Sequence, residues 1–404
     1  MRKLELHWQI LIALIFSVLY GVYLSEYIGW VSWLGAIFMK ALKMIIVPLV
    51  LTSIISGVAN LGNAENLGRL GLKTITYYLS TSLLAIFTGL FFVNMIKPGI
   101  GVDIGLARNI EEIESTSSSF KETLMDIIPE NIFEAFARGE MLSIIFFAIL
   151  FGYFITRISQ KDQQMLTSFF NSTFEVMMKL TMFIIKFTPF GIFGIVASVI
   201  AENLNNLQEL ASGMGRYMIT VILALAVHFF FTLPILLKLI AKANPFKHFR
   251  VMRSTLLTAF STSSSGATLS LTMESVEHGA GVSSKITSFT LPLGATVNMD
   301  GTALYECVAA IFIAQAYGYD LSFLDQVIIV VTSLLASIGA ASIPMAGLVM
   351  ITIILSAVGL PLDGVGLILA VDRVLDMLRT ATNVWSDSCG AVTVAKSEGE
   401  TLKV

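Results

Sequence analysis

Charge is scarce in this chain. Asp, Glu, Lys and Arg together make up 13% of its 404 residues, while hydrophobic residues reach 55%. That charged share is about half of what a soluble domain carries, too little to cover a water-facing globular surface. Cysteine is nearly absent. The two present, Cys307 and Cys389, sit in apolar segments, which speaks against a disulfide framework and makes both read as small buried residues. The four histidines (His7, His228, His248, His278) are scattered without metal-ligand spacing. No nucleophile–base or metal constellation stands out, so an enzyme embedded in the membrane is disfavoured. His248 and His278 read as solvated loop residues and His228 as a packed helix residue. Excess positive charge is missing too: a net charge of −3 gives no nucleic-acid signal.

Long apolar runs are what the chain has in their place. The mean hydropathy is +0.82, and stretches of about 18 or more apolar residues recur from end to end, the mark of an all-α polytopic membrane protein. The pattern predicts helices over 8–24, 28–57, 75–97, 140–158, 172–201 and 215–241. Met1-Arg2-Lys3 followed by an apolar run resembles a signal peptide. No small-x-small cleavage site follows, so the run reads as a retained first helix. Arg2 and Lys3, Arg69 and Lys73, Arg157 and Lys161, and the basic stretch from Lys238 to Arg253 fall on one side. Loops with Glu111, Glu112 and Glu114, and with Glu202 and Glu209, fall on the other. The positive-inside rule then puts the amino terminus in the cytoplasm. Residues 98–125 read as a solvated external loop.

Between Gly364 and Lys396 an apolar stretch carries Asp372, Arg373, Asp376, Arg379 and Asp387. At 100° per residue, Asp372, Asp376, Arg379, Asn383 and Asp387 fall within an arc of about 80°. Each charge near a bilayer centre costs roughly 2.5–3.5 kcal/mol even on a lenient scale. Such a face is stable only against protein, water, ions or a ligand. The alternative, an i,i+3 pair of Asp376 and Arg379 that merely stabilises a bundle, leaves Asp372, Asp387 and Asp300 unexplained.

Two segments read as hairpins that enter the membrane and turn back. The first, 255–277, is centred on the hydroxyl-rich run Ser261 to Thr268, a poor spanning helix. The second, 325–358, has small residues and Pro344 in the middle of an apolar stretch, which predicts a broken helix; a short loop between two ordinary spans is the alternative. Between them, Asn298-Met299-Asp300-Gly301-Thr302 predicts an unwound turn inside a span that releases carbonyl oxygens. Oxygen-only donors suit a hard cation such as sodium, and interrupted helices paired with hairpins mark a secondary transporter's binding site.

These motifs resemble the dicarboxylate/amino acid:cation symporter family, which includes glutamate and neutral amino acid transporters. The resemblance spans essentially the whole chain. It is densest in Ser263-Ser264-Ser265-Gly266, Asn298 to Thr302, the tip SIGAASIP at 337–344, and Asp376-x-x-Arg379-Thr380-x-x-Asn383, all in family order. It implies eight transmembrane helices plus two re-entrant hairpins, with inverted repeats and an elevator-type mechanism. Scaffold helices would lie in 1–74 and 98–213, and a transport domain would be formed by 75–97 and 214–404. It also implies a homotrimer in the cell membrane, in contact with lipid.

By the same resemblance, Arg379 pairs with a substrate's side-chain carboxylate and Asp376 with its ammonium group. Ser264, Ser265, Thr302, Ile343, Gly347, Thr380 and Asn383 would surround the rest. Gly294, Asn298, Asn383 and Asp387 resemble one sodium site; Tyr78, Thr81, Ser82, Asn298 and Asp300 a deeper one; and carbonyls of Thr296, Ser337, Ile338 and Ala340 a third. Taken alone, Tyr78-x-x-Thr81-Ser82 is also what ordinary helix packing uses. Glu306 stands where mammalian-type members carry a proton-accepting glutamate, and archaeal members tend to have glutamine. The chain departs from the mammalian pattern at Met377, where those members have arginine, so potassium counter-transport does not carry over. It departs from the archaeal pattern at the first tip, which has Thr262 in place of an arginine. Arg373 is the additional arginine here.

The function implied is sodium-coupled symport of L-glutamate or L-aspartate, with a proton as a candidate second coupling ion, no cofactor, no nucleic acid and no enzymatic step. The rivals are a proton-coupled C4-dicarboxylate carrier, which gives Asp376 no ammonium partner, and a neutral amino acid transporter, which leaves Arg379 uncompensated. An anion channel is the rival outside that class.

Overall fold

The computed structural model describes residues 6–62, 69–102, 128–202, 204, 207–339 and 346–404. Among these residues every regular element is helical. In chain order the helices are α1 Leu6–Tyr23, α2 Ser32–Gly62, α3 Arg69–Ile96, α4 Ile132–Arg138, α5 Met141–Ile155, α6 Gln160–Ile185, α7 Thr188–Glu202, α8 Leu207–Val227 and α9 Leu233–Ile240. They continue with α10 Pro245–Thr262, α11 Ser265–Glu274, α12 Ser284–Val297, α13 Asp300–Ala316, α14 Phe323–Gly339, α15 Ala346–Ala357 and α16 Val365–Ser397. Four stretches are long and apolar enough to cross a bilayer: Ser32–Ala59, Arg69–Ile96, Leu207–Ile240 and Ser284–Ala316.

The helices pack as two groups. In one, α2 lies against α5, α6 and α7, and α7 covers α1. Its core is aliphatic, with Ile45, Leu49 and Ile55 of α2 meeting Ile144 of α5 and Ile192 of α7. Backbones approach closely where α7 crosses α2: a Cβ on Gly194 would lie 2.5 Å from the nitrogen of Gly35. Small residues at such a crossing substitute for a hydrophobic drive that lipid does not supply. In the other group, α3, α8, α10–α12, α14 and α15 surround α13 and α16. The most apolar part of Ser284–Ala316 is buried entirely within the protein, so its polar groups never meet lipid.

Two breaks position the chemistry. Asn244 caps α10 by accepting from the amides of Phe246 and Lys247, and Pro245 occupies the first turn, where its missing N–H is harmless. The helix ends at Ser263 in the left-handed region (φ 51°), and Ser264, extended, caps α11 by accepting from the amide of Ala267. The hydroxyl-rich tip is thus a two-residue reversal between packed helices, but its first arm starts at Pro245 and not near 255. The second break is at Asn298 and Met299, both non-helical between α12 and α13. The sequence predicts an unwound turn at Asp300 and Gly301, but these two open α13 and the break falls just before them. The tip between α14 and α15, with Ala340 and Ile343, lies outside the described residues, as does most of the 98–125 loop.

The single helix expected over 172–201 is two, α6 and α7, bent by 55°. Pro189 in the first turn of α7 accounts for the break: it has no N–H to donate to the Ile185 carbonyl, and its ring crowds that carbonyl, so α6 stops at Ile185.

Candidate substrate and cation site

The break at 298–299 frees the first residues of α13 to meet α3, α8 and α16. Asp300, fully buried, accepts hydrogen bonds from Ser82 (2.7 Å) and Ser386 (2.6 Å), and His228 Nε2 lies 3.0 Å from its Oδ2. Asn298 donates to Ser386 (3.0 Å) and Asp387 (2.9 Å), and its amide oxygen accepts from Thr81 (3.2 Å). Gly294 backs this cluster: a Cβ there would fall 2.7 Å from both Asp387 Oδ1 and Tyr78 Oη. The Tyr78 hydroxyl itself donates to the Thr290 carbonyl (2.8 Å). Two carboxylates thus share a buried centre of oxygens in which His228 is the sole potential cation among the described contacts. Oxygen donors of this kind are the type that suits a hard cation.

Further along α16 lies a second cluster. Arg379, 1% exposed, donates from Nη2 to Asp376 Oδ1 (2.6 Å), and its Nη1 is 3.4 Å from Asp372 Oδ1. Tyr305 donates to that same Asp372 oxygen (2.6 Å), and the guanidinium sits over its ring at 3.9 Å. Arg373 reaches Asp376 Oδ2 at 3.6 Å. Despite this crowding, Nε and Nη1 of Arg379 have no hydrogen-bond acceptor among the described residues. A Cβ on Gly347 would collide with Arg379 Nη1, so the absent side chain is what lets α15 lie against the guanidinium.

Asn383, between Arg379 and Asp387 on α16, binds the two residues that follow Asp300. Its Oδ1 accepts from the amides of Gly301 (2.8 Å) and Thr302 (3.4 Å), and its Nδ2 donates to the Thr302 hydroxyl (3.1 Å). Thr380 on α16 and Ser265 on α11 are both buried. Thr81, Ser82, Asn298, Asp300 and Asp387 of the first two predicted cation groups converge through these hydrogen bonds. The third predicted group consists of backbone carbonyls, and Ala340, one of its four residues, lies outside the described residues. Glu306 is fully buried with neither carboxyl oxygen hydrogen-bonded.

Sequence reasoning missed His228 and Ser386 as partners of Asp300, and Tyr305 as the platform under Arg379. An ionisable residue inside an apolar span was the available signal for His228. His248 corrects the sequence reading outright. It is buried, stacked on Trp385 at 5.1 Å between centroids, with Nε2 3.0 Å from the Ser388 hydroxyl. The cap at Asn244 carries it into a packed helix.

A buried oxygen cluster at an interrupted helix, with a buried arginine on the same helix as one of its carboxylates, is what an ion-coupled membrane carrier needs. The chain belongs to the sodium:dicarboxylate symporter family, whose model matches residues 6–397. It is 36% identical to the proton/glutamate-aspartate symporter of Escherichia coli (strain K12), over 98% of this chain and 93% of that one. It is also 36% identical to the proton/sodium-glutamate symport protein of Geobacillus stearothermophilus, over 99% and 96%. Excitatory amino acid transporter 3 of Homo sapiens is 35% identical over 100% and 88%.

Proposed function

We propose that this protein is a secondary active transporter that carries L-glutamate or L-aspartate across the cell membrane with sodium, and with a proton as a second coupling ion. The observation that supports it best is the buried Arg379, whose Nε and Nη1 have no hydrogen-bond acceptor among the described residues, beside Asp376 and on the same helix as Asp387 of the Asp300–Asp387 cluster. A guanidinium fork receives a carboxylate through two hydrogen bonds, while Asp376 suits the substrate's ammonium group. Ser264, Ser265, Thr302, Ile343, Gly347, Thr380 and Asn383 complete the substrate site in this reading. Cations bind at Asp300, Asn298, Thr81, Ser82 and Tyr78, at Asp387, Asn383 and Gly294, and at Thr296, Ser337, Ile338 and Ala340.

The finer architecture in this reading is eight spans plus two re-entrant hairpins (α10–α11 and α14–α15), with the amino terminus in the cytoplasm. The group around α13 and α16 moves as a unit against a homotrimeric scaffold. Coupling follows if cations favour the closed, substrate-holding state, a differential affinity between conformations. Glu306, an unpaired carboxyl at the heart of a span, is the proton carrier.

Uptake of labelled aspartate, glutamate, succinate and serine into proteoliposomes under separate sodium and proton gradients tests the reading. Acidic amino acids should accumulate and serine should not. Uptake indifferent to the sodium gradient would remove sodium, and a pH profile unchanged by Glu306→Gln would remove the proton carrier.

A further inference from the structure

A cavity of about 830 Å³ opens away from the site just described, where α9 turns into α10. It is lined by Phe229, Phe230, Ile235 and the exposed Lys238 and Lys242, with Trp385, only 1% exposed, as its floor. The indole of Trp385 donates its one polar hydrogen to the Phe229 carbonyl (3.1 Å), so the floor presents carbon. Phe230 and Ile235 are 62% and 52% exposed, which leaves the cavity open on its outer side.

The lysine charge is uncompensated. Neither Lys238 nor Lys242 forms an ion pair among the described residues, and the same holds for Lys247, Arg250 and Arg253 on α10. No local acid could serve, because the chain has no Asp or Glu from Leu210 to Met273. An apolar cavity with two free ammonium groups at the basic end of membrane helices is complementary to an anionic amphiphile from the bilayer. A zwitterionic lipid would fill the volume and leave the charges unmatched.

We propose that this cavity binds one anionic phospholipid, its phosphate between Lys238 and Lys242 and an acyl chain against Trp385. The occupant then presses on the back of the turn that holds cations. Ser386 and Asp387 follow Trp385 directly in α16 and face Asp300 and Asn298. The lipid is thus a bound component of the side of α16 that the substrate never touches.

The test uses the full chain with Trp8, Trp30 and Trp33 replaced by Phe, leaving Trp385 as the only fluorescent indole. It is reconstituted in phosphatidylcholine vesicles containing phosphatidylglycerol, with bromines on the acyl chains of one lipid or the other. Brominated phosphatidylglycerol should quench Trp385 with an apparent association roughly ten-fold or more above that of brominated phosphatidylcholine, as two lysines at a membrane surface imply. K238Q/K242Q should abolish the preference, and K238E/K242E should invert it, with thermal melts confirming that both variants are folded. Equal quenching by the two lipids would overturn the proposal. So would a preference that survives K238Q/K242Q, since the remaining basic residues would then be attracting lipid without a site.

Discussion

The group around α2 and the group around α13 and α16 are both helix bundles, yet they hold together by opposite means. Around α2 the buried residues carry no charge, the backbones come closest at Gly194 against Gly35, and the hydrogen bond between Ser56 and Asn171 (2.5 Å) links α2 to α6. Around α13 and α16, every buried Asp, Glu and Arg among the described residues is gathered: Asp300, Glu306, Asp372, Asp376, Arg379 and Asp387. The first group is specified by shape and tolerates lipid on its outer faces. The second is specified by charge, and it stays in the membrane because the rest of the chain replaces lipid around it. A bundle needing only to stand in the bilayer has no use for such charges. Their concentration in one group marks where the work is done.

The sharpest way to break this contrast is Arg379→Cys, which leaves Asp372 and Asp376 without their buried cation. Acidic amino acid uptake should fall to background in proteoliposomes, and aspartate transport left intact would remove Arg379 as carboxylate partner. Asp300→Asn keeps the shape and removes one charge from the oxygen cluster. Its sodium concentration for half-maximal uptake should rise about ten-fold or more, in line with the loss of a charge-assisted contact of roughly 1.5–3 kcal/mol. In the shape-specified group, Gly194→Val inserts atoms against the α2 backbone and should destabilise by about 1–3 kcal/mol. A lowered Tm with an unchanged sodium dependence of uptake would keep the two groups distinct, and a shifted sodium dependence would merge them.

The smallest effect is expected at the basic end of α3. Glu398 bridges Arg69 (3.0 Å) and Lys73 (2.7 Å), whose hydrogen bonds and charges hold its carboxyl down at about 2. An acid depressed in the folded state stabilises it fully above the ordinary carboxyl value of about 4.3. That contribution is lost as pH falls through the folded value. Glu398→Gln should therefore lower the Tm slightly near neutrality, with the gap to the parent closing as the pH falls below about 4. A gap that stays constant on acidification would show that the bridge contributes nothing through its charge.

What was legible in the sequence was whatever a local pattern has to announce. A carboxylate followed by glycine inside a span announces an interruption, though Asp300 and Gly301 turn out helical and the break falls just before them at 298–299. Six hydroxyl residues from Ser261 to Thr268 announce the reversal at Ser263 and Ser264. The five-residue polar stripe on α16 is buried as its spacing requires. Convergence was not legible. His228, Ser82 and Ser386 meet on Asp300 from three helices, and no periodicity along one helix records its neighbours. Where the first arm begins was announced, by Asn244-Pro245, but the basic run from Lys238 to Arg253 resembles a loop, and that reading also misplaced His248. The bend between α6 and α7 was announced by Pro189 and masked by the apolar residues on both sides.

The Asp300 cluster also has a clock in it. Its serine on α3 precedes Asp300 by 218 residues, but the one on α16 follows by 86. At a synthesis rate of roughly 5–20 residues per second, Asp300 is made some 4–17 s before Ser386 exists. For that interval the nascent chain holds a carboxylate in a membrane-bound segment with half of its hydroxyl partners still unmade. Biogenesis, and not only transport, therefore depends on keeping α13 sheltered until α16 arrives.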